Sequence, residues 1–359
     1  MDIPYVTRDN AYYDSTVYSP ASIPDQPPSS ERSWLRKLGG SRLPWGRTQE
    51  VAPEKIMTDP TPKSMRFWEQ ADKKREEEKA LGTYKQRPME GLDLHWIYNH
   101  ERFRYAVLSK RSHFWMYLCG GGRFLFYLNT VISVFAYAMV VSALNDPWLE
   151  TTVDIAPLFI FLIGTPLSCW GLGSLVINHF PHLWFKPSRG PLWELNRRTG
   201  LVTLFDYDNN GEYKKNGAIG EITAPFYEFD AYLATSPDRQ GLPMNFLYLA
   251  HRYRDITINF ASLMAADRIP QPPLALWDFF QNYMDASRPL PELPCFEKCR
   301  HLDPVSAEYD RQTGRNPRYW IDMDDETFAE KLEEMEGRIR LIDTMRRPNL
   351  MARHVEYVD

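Results

Sequence analysis

The chain has 359 residues and a formal net charge of −5, enough material for one large domain or two modest ones with a real core. Its bases are scattered rather than striped along one element, which excludes the electrostatic footprint of a nucleic-acid binder. Four cysteines, Cys119, Cys169, Cys295 and Cys299, are too few to staple a chain this long, which excludes a disulfide scaffold.

The opening "MDIPYVTRDNAYYDSTVYSP" has no cationic start followed by an apolar core, so no signal peptide is expected. Residues 1–62 are rich in Pro, Ser, Tyr and Asp and predict a disordered or extended arm. Trp34, Leu35, Trp45 and the tyrosines are groups with which it could dock, but a loosely packed tail is the expectation. Residues 63–115 predict a cytosolic helical and juxtamembrane segment. Within it "SMRFWEQADKKREEEKALG" (64–82) has good helix formers and a glycine stop at Gly82, with "KKREEEK" as a solvated face. The stretch "DLHWIYNHERFRYAVLSKR" (93–111) follows, and its Arg102, Arg104, Lys110 and Arg111 suit anionic lipid head groups.

Residues 116–185 carry the dominant feature. The runs 124–144 and 155–177 hold 21 and 23 residues without a charge. At 1.5 Å per residue each spans a hydrocarbon layer of about 30 Å, predicting a transmembrane hairpin and a lipid bilayer as partner. The loop "NDPWLETTVD" (145–154) has acids and no base. Lys110, Arg111 and Arg123 precede the first run, and Lys186, Arg189, Arg197 and Arg198 follow the second. The positive-inside rule then puts both termini in the cytoplasm, and Lys186, Arg189, Arg197 and Arg198 join the candidate head-group contacts. Trp115, Tyr117, Trp148 and Trp184 fall at interface depth. Pro157 lies in the opening turn of the second run and Pro166 predicts a kink; Gly171 and Gly173 allow close packing on the first span. Neither span has an ionisable group inside, which argues against a proton relay or transport site.

Residues 190–290 predict a small antiparallel β domain capped by a helix. "PLWELNRRTGLVTLF" (191–205) reads as strand, turn, strand, with Gly200 supplying positive φ. "DYDNNGEYKKNG" (206–217) opens like a calcium loop, but its twelfth position is Gly217 where a bidentate carboxylate is needed, so it reads as a loop between strands. "AIGEITAPFYEFDAYLA" (218–234) is extended, and "MNFLYLAHRYRDITINFAS" (244–262) gives two strands joined at "RYRD". "PPLALWDFFQNYMDA" (272–286) places Leu274, Trp277, Phe280 and Met284 at helical spacing behind prolines.

In the tail, 291–359, "CFEKCRH" offers Cys295, Cys299 and His301 as candidate zinc ligands; the spacing is unusual, no second pair follows, and reduced, non-ligating thiols are expected. Residues 324–347 predict an amphipathic helix, with Phe328, Leu332, Met335, Ile339 and Ile342 on one face. His179 and His182 have no partner carboxylate in sequence. No G-x-S-x-G elbow, P-loop, H-E-x-x-H or dinucleotide glycine pattern occurs, and neither cofactor nor catalytic set is expected.

The fold class expected is thus an α+β membrane protein: a two-helix hairpin, a β domain capped by a helix, and a helical tail. The motifs "LNRRTGLVTLF" (195–205), "ITAPFYEFDAYLA" (222–234) and "LALWDFFQNYMD" (274–285) resemble those of a proteobacterial family of two-helix membrane proteins with a pleckstrin-homology-like cytosolic domain, often encoded near type VI secretion genes. The resemblance covers roughly 95–295. It implies a bacterial inner-membrane protein and carries over no functional residue, because the family has no settled activity. A non-enzymatic accessory protein is the expectation, an immunity protein or adaptor with a toxin or secretion component as partner. The alternatives are an effector that damages a target bilayer, or a lipid-sensing domain.

Overall fold

The computed structural model describes residues 12–30, 40–86, 90, 94–144, 148–186, 188–207 and 220–358. Its longer helices are α1 (Pro62–Ala80), α2 (Lys110–Leu144), α3 (Trp148–His179), α4 (Gln271–Met284), α5 (Pro304–Thr313) and α6 (Asp325–Arg340). Its strands are β1 (Ser29–Ser30), β2 (Ser41–Arg42), β3 (Ile97–Tyr98), β4 (Arg102–Tyr105), β5 (Trp193–Asn196), β6 (Leu201–Asp206), β7 (Gly220–Pro225), β8 (Phe229–Pro237), β9 (Pro243–His251), β10 (Thr257–Asn259) and β11 (Tyr357–Val358). The chain divides into two units: one of Lys85–His95 and Ala106–Gly190, which holds α2 and α3, and one of everything else, called the body below.

The body is mixed α+β. Five strands run in the order β3-β4-β5-β6-β7 and four in the order β10-β9-β8-β2, all antiparallel, while β1 pairs parallel with β11. The first sheet corrects the expectation that all β structure follows the apolar runs. β4 lies before α2 and pairs with β5 after α3, Phe103 opposite Leu195 and Tyr105 opposite Trp193. The cause was visible in "RFRY": polar and apolar residues alternate, and Phe103 and Tyr105 turn inward. The extended segment 218–234 is really two strands in different sheets. A 3-10 turn at Phe226–Glu228 follows Pro225 and separates β7 from β8. The calcium-like stretch lies outside the described residues from 208 onward. Asp206 and Gly220, on either side, are paired across β6 and β7, so the segment joins adjacent strands.

Between the sheets lies α4, whose residues from Pro273 to Met284 are all buried. Trp277 packs on Trp45 at 4.8 Å and Phe280 on Phe260 at 4.8 Å. Phe103 meets Phe279 at 5.3 Å. A helix capping one open end would keep a wet face. Here that face is covered by the arm, which overturns the loosely packed reading of its described part. Leu43 and Trp45 are fully buried, and β2 extends the sheet next to β8. The amide groups of Gly46 and Gln49 donate to Gln281 and Asp278, and Asn282 donates to the carbonyl of Gln49. The polar positions of α4 are therefore not a solvent face but a docking strip for residues 44–49. Trp34 and Leu35 lie outside the described residues.

Further along the arm, Thr16 and Val17 press on the β5–β6 turn. A Cβ on Gly200, which has φ of +70°, would sit 2.5 Å from the Val17 Cα, so glycine is required there on two counts. The tail is likewise part of the body rather than an appendage: Met335 and Ile339 of α6, and Ile342 just beyond it, pack against Val51 and Ala275. It starts on the Asp324 cap but ends at Arg340, shorter than the 324–347 expected. α1 starts on a Thr61–Ser64 capping box, and its chain turns at Gly82 (φ +68°) as read from the sequence.

Candidate functional site

The second unit is an antiparallel helical hairpin whose two members are each long and apolar enough to cross a bilayer. α3 begins at Trp148, so 148–154 is helical and the expected loop shrinks to 145–147, outside the described residues. Acids early in a helix suit its dipole, and Glu150 and Asp154 fall in the first two turns. Pro157 consequently sits inside α3 rather than in an opening turn.

The two helices meet backbone to backbone. A Cβ on Gly122 would lie 2.6 Å from the Trp170 nitrogen and 3.0 Å from the Pro166 carbonyl oxygen; one on Gly173 would lie 2.8 Å from the Cys119 Cα. Gly171, paired with Gly173 in the sequence reading, faces open space; its place is taken by Gly122. Pro166 has no N–H, so the Leu162 carbonyl four residues earlier loses its helical donor. Asn129 of α2 supplies the replacement, its Nδ2 donating to that carbonyl at 2.8 Å. Toward the tip, Tyr137 and Thr152 share a 2.7 Å hydrogen bond. At the base, buried Ser112 donates to the carbonyls of Trp184 and Lys186 and accepts from the Lys186 amide.

The eight candidate head-group bases divide. Lys110, Arg111, Lys186 and Arg189 belong to the hairpin unit and are exposed. Arg102, Arg104, Arg197 and Arg198 belong to the body, and each meets a carboxylate. Arg104 bonds Glu194, with Arg102 at 3.9 Å from the same residue, and Arg198 reaches Glu101 at 3.2 Å. Arg197 is a correction: its side chain is fully buried and pairs with Asp303 at 3.2 Å. It also donates to the carbonyls of Tyr283, Asp285 and Arg288, which leaves it nothing to offer a lipid. Burial would lower its pKa, but Asp303 and Tyr13 more than offset this and hold it above the ordinary range.

Two further buried ion pairs were not foreseen. Arg252 pairs with Asp230 at 2.7 Å, and Tyr357 donates to the same carboxylate, tying the tail to β8 and β9. Arg347 pairs with Asp278 at 2.8 Å beneath α4. The signal in the sequence was weak: charged residues inside otherwise apolar segments, with partners far along the chain.

Cys295, Cys299 and His301 are not gathered into one ligand set. Among the described residues no group of three or more His, Cys, Asp or Glu side chains is placed to hold an ion. His301 is exposed, and burial pushes the Cys299 thiol up to about 11 and that of Cys295 well above its ordinary value.

No family model, no curated protein and no solved structure matches the chain.

Proposed function

We propose that this chain is a bacterial inner-membrane protein in which the helical hairpin crosses the bilayer and anchors a cytosolic body that binds another protein. In this reading it is a non-enzymatic accessory of type VI secretion, an immunity protein for a delivered toxin or an adaptor for its loading. The observation that carries the anchor is exposure. Only 6% of each apolar window is buried, and Phe135, Met139 and Ile160 stand 68%, 73% and 71% exposed. A core helix of a soluble protein hides such residues, whereas lipid covers them at no cost. The basic residues at the hairpin base and the acids near its tip favour the base facing the cytoplasm, and two spans return the chain to the same side.

The body's strand order supports the pleckstrin-homology-like likeness: β4 to β7 form one meander, β8 to β10 a second, and α4 follows. The buried charges pair as Arg197–Asp303, Arg252–Asp230 and Arg347–Asp278, and Arg197, Arg252 and Asp278 also bond the backbone, which supports a structural rather than a catalytic use of them. The link to secretion rests on the resemblance in sequence motifs.

The test is expression in bacteria alone and with the product of a neighbouring toxin gene. The expected result is recovery in the inner-membrane fraction, unimpaired growth alone, and protection of cells making the toxin. Toxicity of the chain alone overturns the immunity reading in favour of the effector, and recovery in the soluble fraction overturns the anchor.

A further inference from the structure

The two charge-free runs do not lie opposite each other. Hydrogen bonds from Asn129 to Leu162 and between Tyr137 and Thr152, with the contacts of Gly122 on Pro166 and Trp170, fix the register of the hairpin. In that register Asp154 is level with Tyr137, and Arg123 is level with the stretch between Pro166 and Trp170. The layer in which neither helix bears a charge is therefore 124–136 against 155–167. It is roughly thirteen residues deep, or about 20 Å at the helical rise. A typical hydrocarbon core is about 30 Å thick. Tilt does not close the gap, since it shortens the projection further.

Both bounding charges are exposed. The Arg123 guanidinium lies 6.0 Å from the Tyr127 ring and 5.8 Å from the Trp170 ring, the amphipathic aromatics that settle where hydrocarbon meets head groups. Its long stem lets the charge snorkel a few Å outward, but the short side chain of Asp154 has no such reach. The other placement, a layer of about 30 Å measured from Asp154, ends level with Tyr117 and leaves the Arg123 charge about 9 Å inside the hydrocarbon, further than its stem snorkels. The aromatic pair around it favours an interface at that level instead.

We infer that the hairpin is fitted to a thin or locally thinned hydrocarbon layer, with Arg123 and Asp154 marking its two boundaries; the lipid it selects has short acyl chains. This rests on the reading of the hairpin as membrane-inserted. The test reconstitutes the purified full chain into phosphatidylcholine–phosphatidylglycerol vesicles with myristoleoyl, oleoyl or erucoyl chains and measures the fraction that floats with lipid. Incorporation is expected to be at least about five-fold higher in the shortest-chain vesicles than in the longest. Arg123→Leu removes one boundary from an exposed position and should move the preference to longer chains, while Arg123→Lys should keep it short; circular dichroism checks that each variant is folded. A flat profile, a preference for long chains, or an Arg123→Leu profile like that of the parent overturns the thickness inference. Failure to float with any vesicle overturns the membrane reading itself.

Discussion

Arg197 and Asp303 meet with both side chains fully buried, so each ion has lost its water. Such a pair is sustained only by the bonds around it. Arg197 has three carbonyls, and Asp303 accepts from Tyr13 and from the Ser306 hydroxyl and amide. Removing one partner strands the other charge, so Asp303→Ala should destabilise the body by about 3–5 kcal/mol. Replacing both residues by apolar ones should cost less than removing one. Urea unfolding of the detergent-solubilised chain, followed by near-ultraviolet circular dichroism, measures both. The pair also sets a pH dependence. Burial alone would raise the Asp303 carboxyl, but Arg197 and its hydrogen bonds hold it below the ordinary carboxylate value. The unfolded chain therefore takes up this proton first. The stabilisation is present above about pH 3.9 and is lost as the pH falls from there through the lower folded value. Asp278 and Asp285, raised by burial, act in the opposite sense, so the comparison must be with a variant. Asp303→Asn should fall off less steeply than the parent as the solution is acidified. Parallel slopes would mean that this carboxylate does not carry the effect.

Elements in this chain are stabilised by what lies across from them, and the hairpin is the plainest case. Pro166 orphans the Leu162 carbonyl and Asn129 bonds it from the other helix, so the two substitutions should not be additive. Asn129→Leu should cost about 0.6–1.7 kcal/mol in the parent, the range for interhelical hydrogen bonds in membranes. In a Pro166→Ala background the helix provides its own donor, and the same change should be nearly neutral. Thermal unfolding of the four proteins of the cycle in detergent reads the coupling; equal costs in both backgrounds would remove Asn129 from this role. The same contrast between local and distant partners decides what the sequence disclosed. Local pattern marked these elements: helical spacing for α4 and α6, helix formers for α1, charge-free runs for both apolar helices, and Gly200 for the β5–β6 turn. It did not reveal that β4 pairs with β5 across the whole hairpin, since Tyr105 and Trp193 are far apart along the chain. Nor did it reveal that Trp45, in a proline-rich arm, completes the core beside Trp277. Arg197 looked like a surface base because its counter-ion, Asp303, sits in a segment that had been read as tail. Of the eight candidate head-group bases, the four on the hairpin unit are exposed and the four on the body meet carboxylates.

For the whole molecule, the connectivity makes the hairpin an insertion between neighbouring strands. The chain leaves the body after Tyr105 and re-enters it at Pro191, and Tyr105 and Trp193 are direct partners in the ladder. Two antiparallel strands joined at partnered residues need only a two-residue turn. Replacing 106–192 by Asn-Gly should therefore leave the five-stranded sheet continuous, and the aromatic core around α4 is contributed by the body alone. The shortened protein should be soluble without detergent and unfold cooperatively, with the far-ultraviolet signature of a mixed α+β domain. It should also leave the membrane fraction in cells, whereas the full chain should stay there. The body has its own exposed apolar pair, Phe67 and Trp68 on α1, 62% and 57% exposed, which makes the fractionation decisive. Retention of the shortened protein on membranes would assign the attachment to a surface of the body rather than to the hairpin. Failure to fold would mean that the sheet depends on the helices it carries.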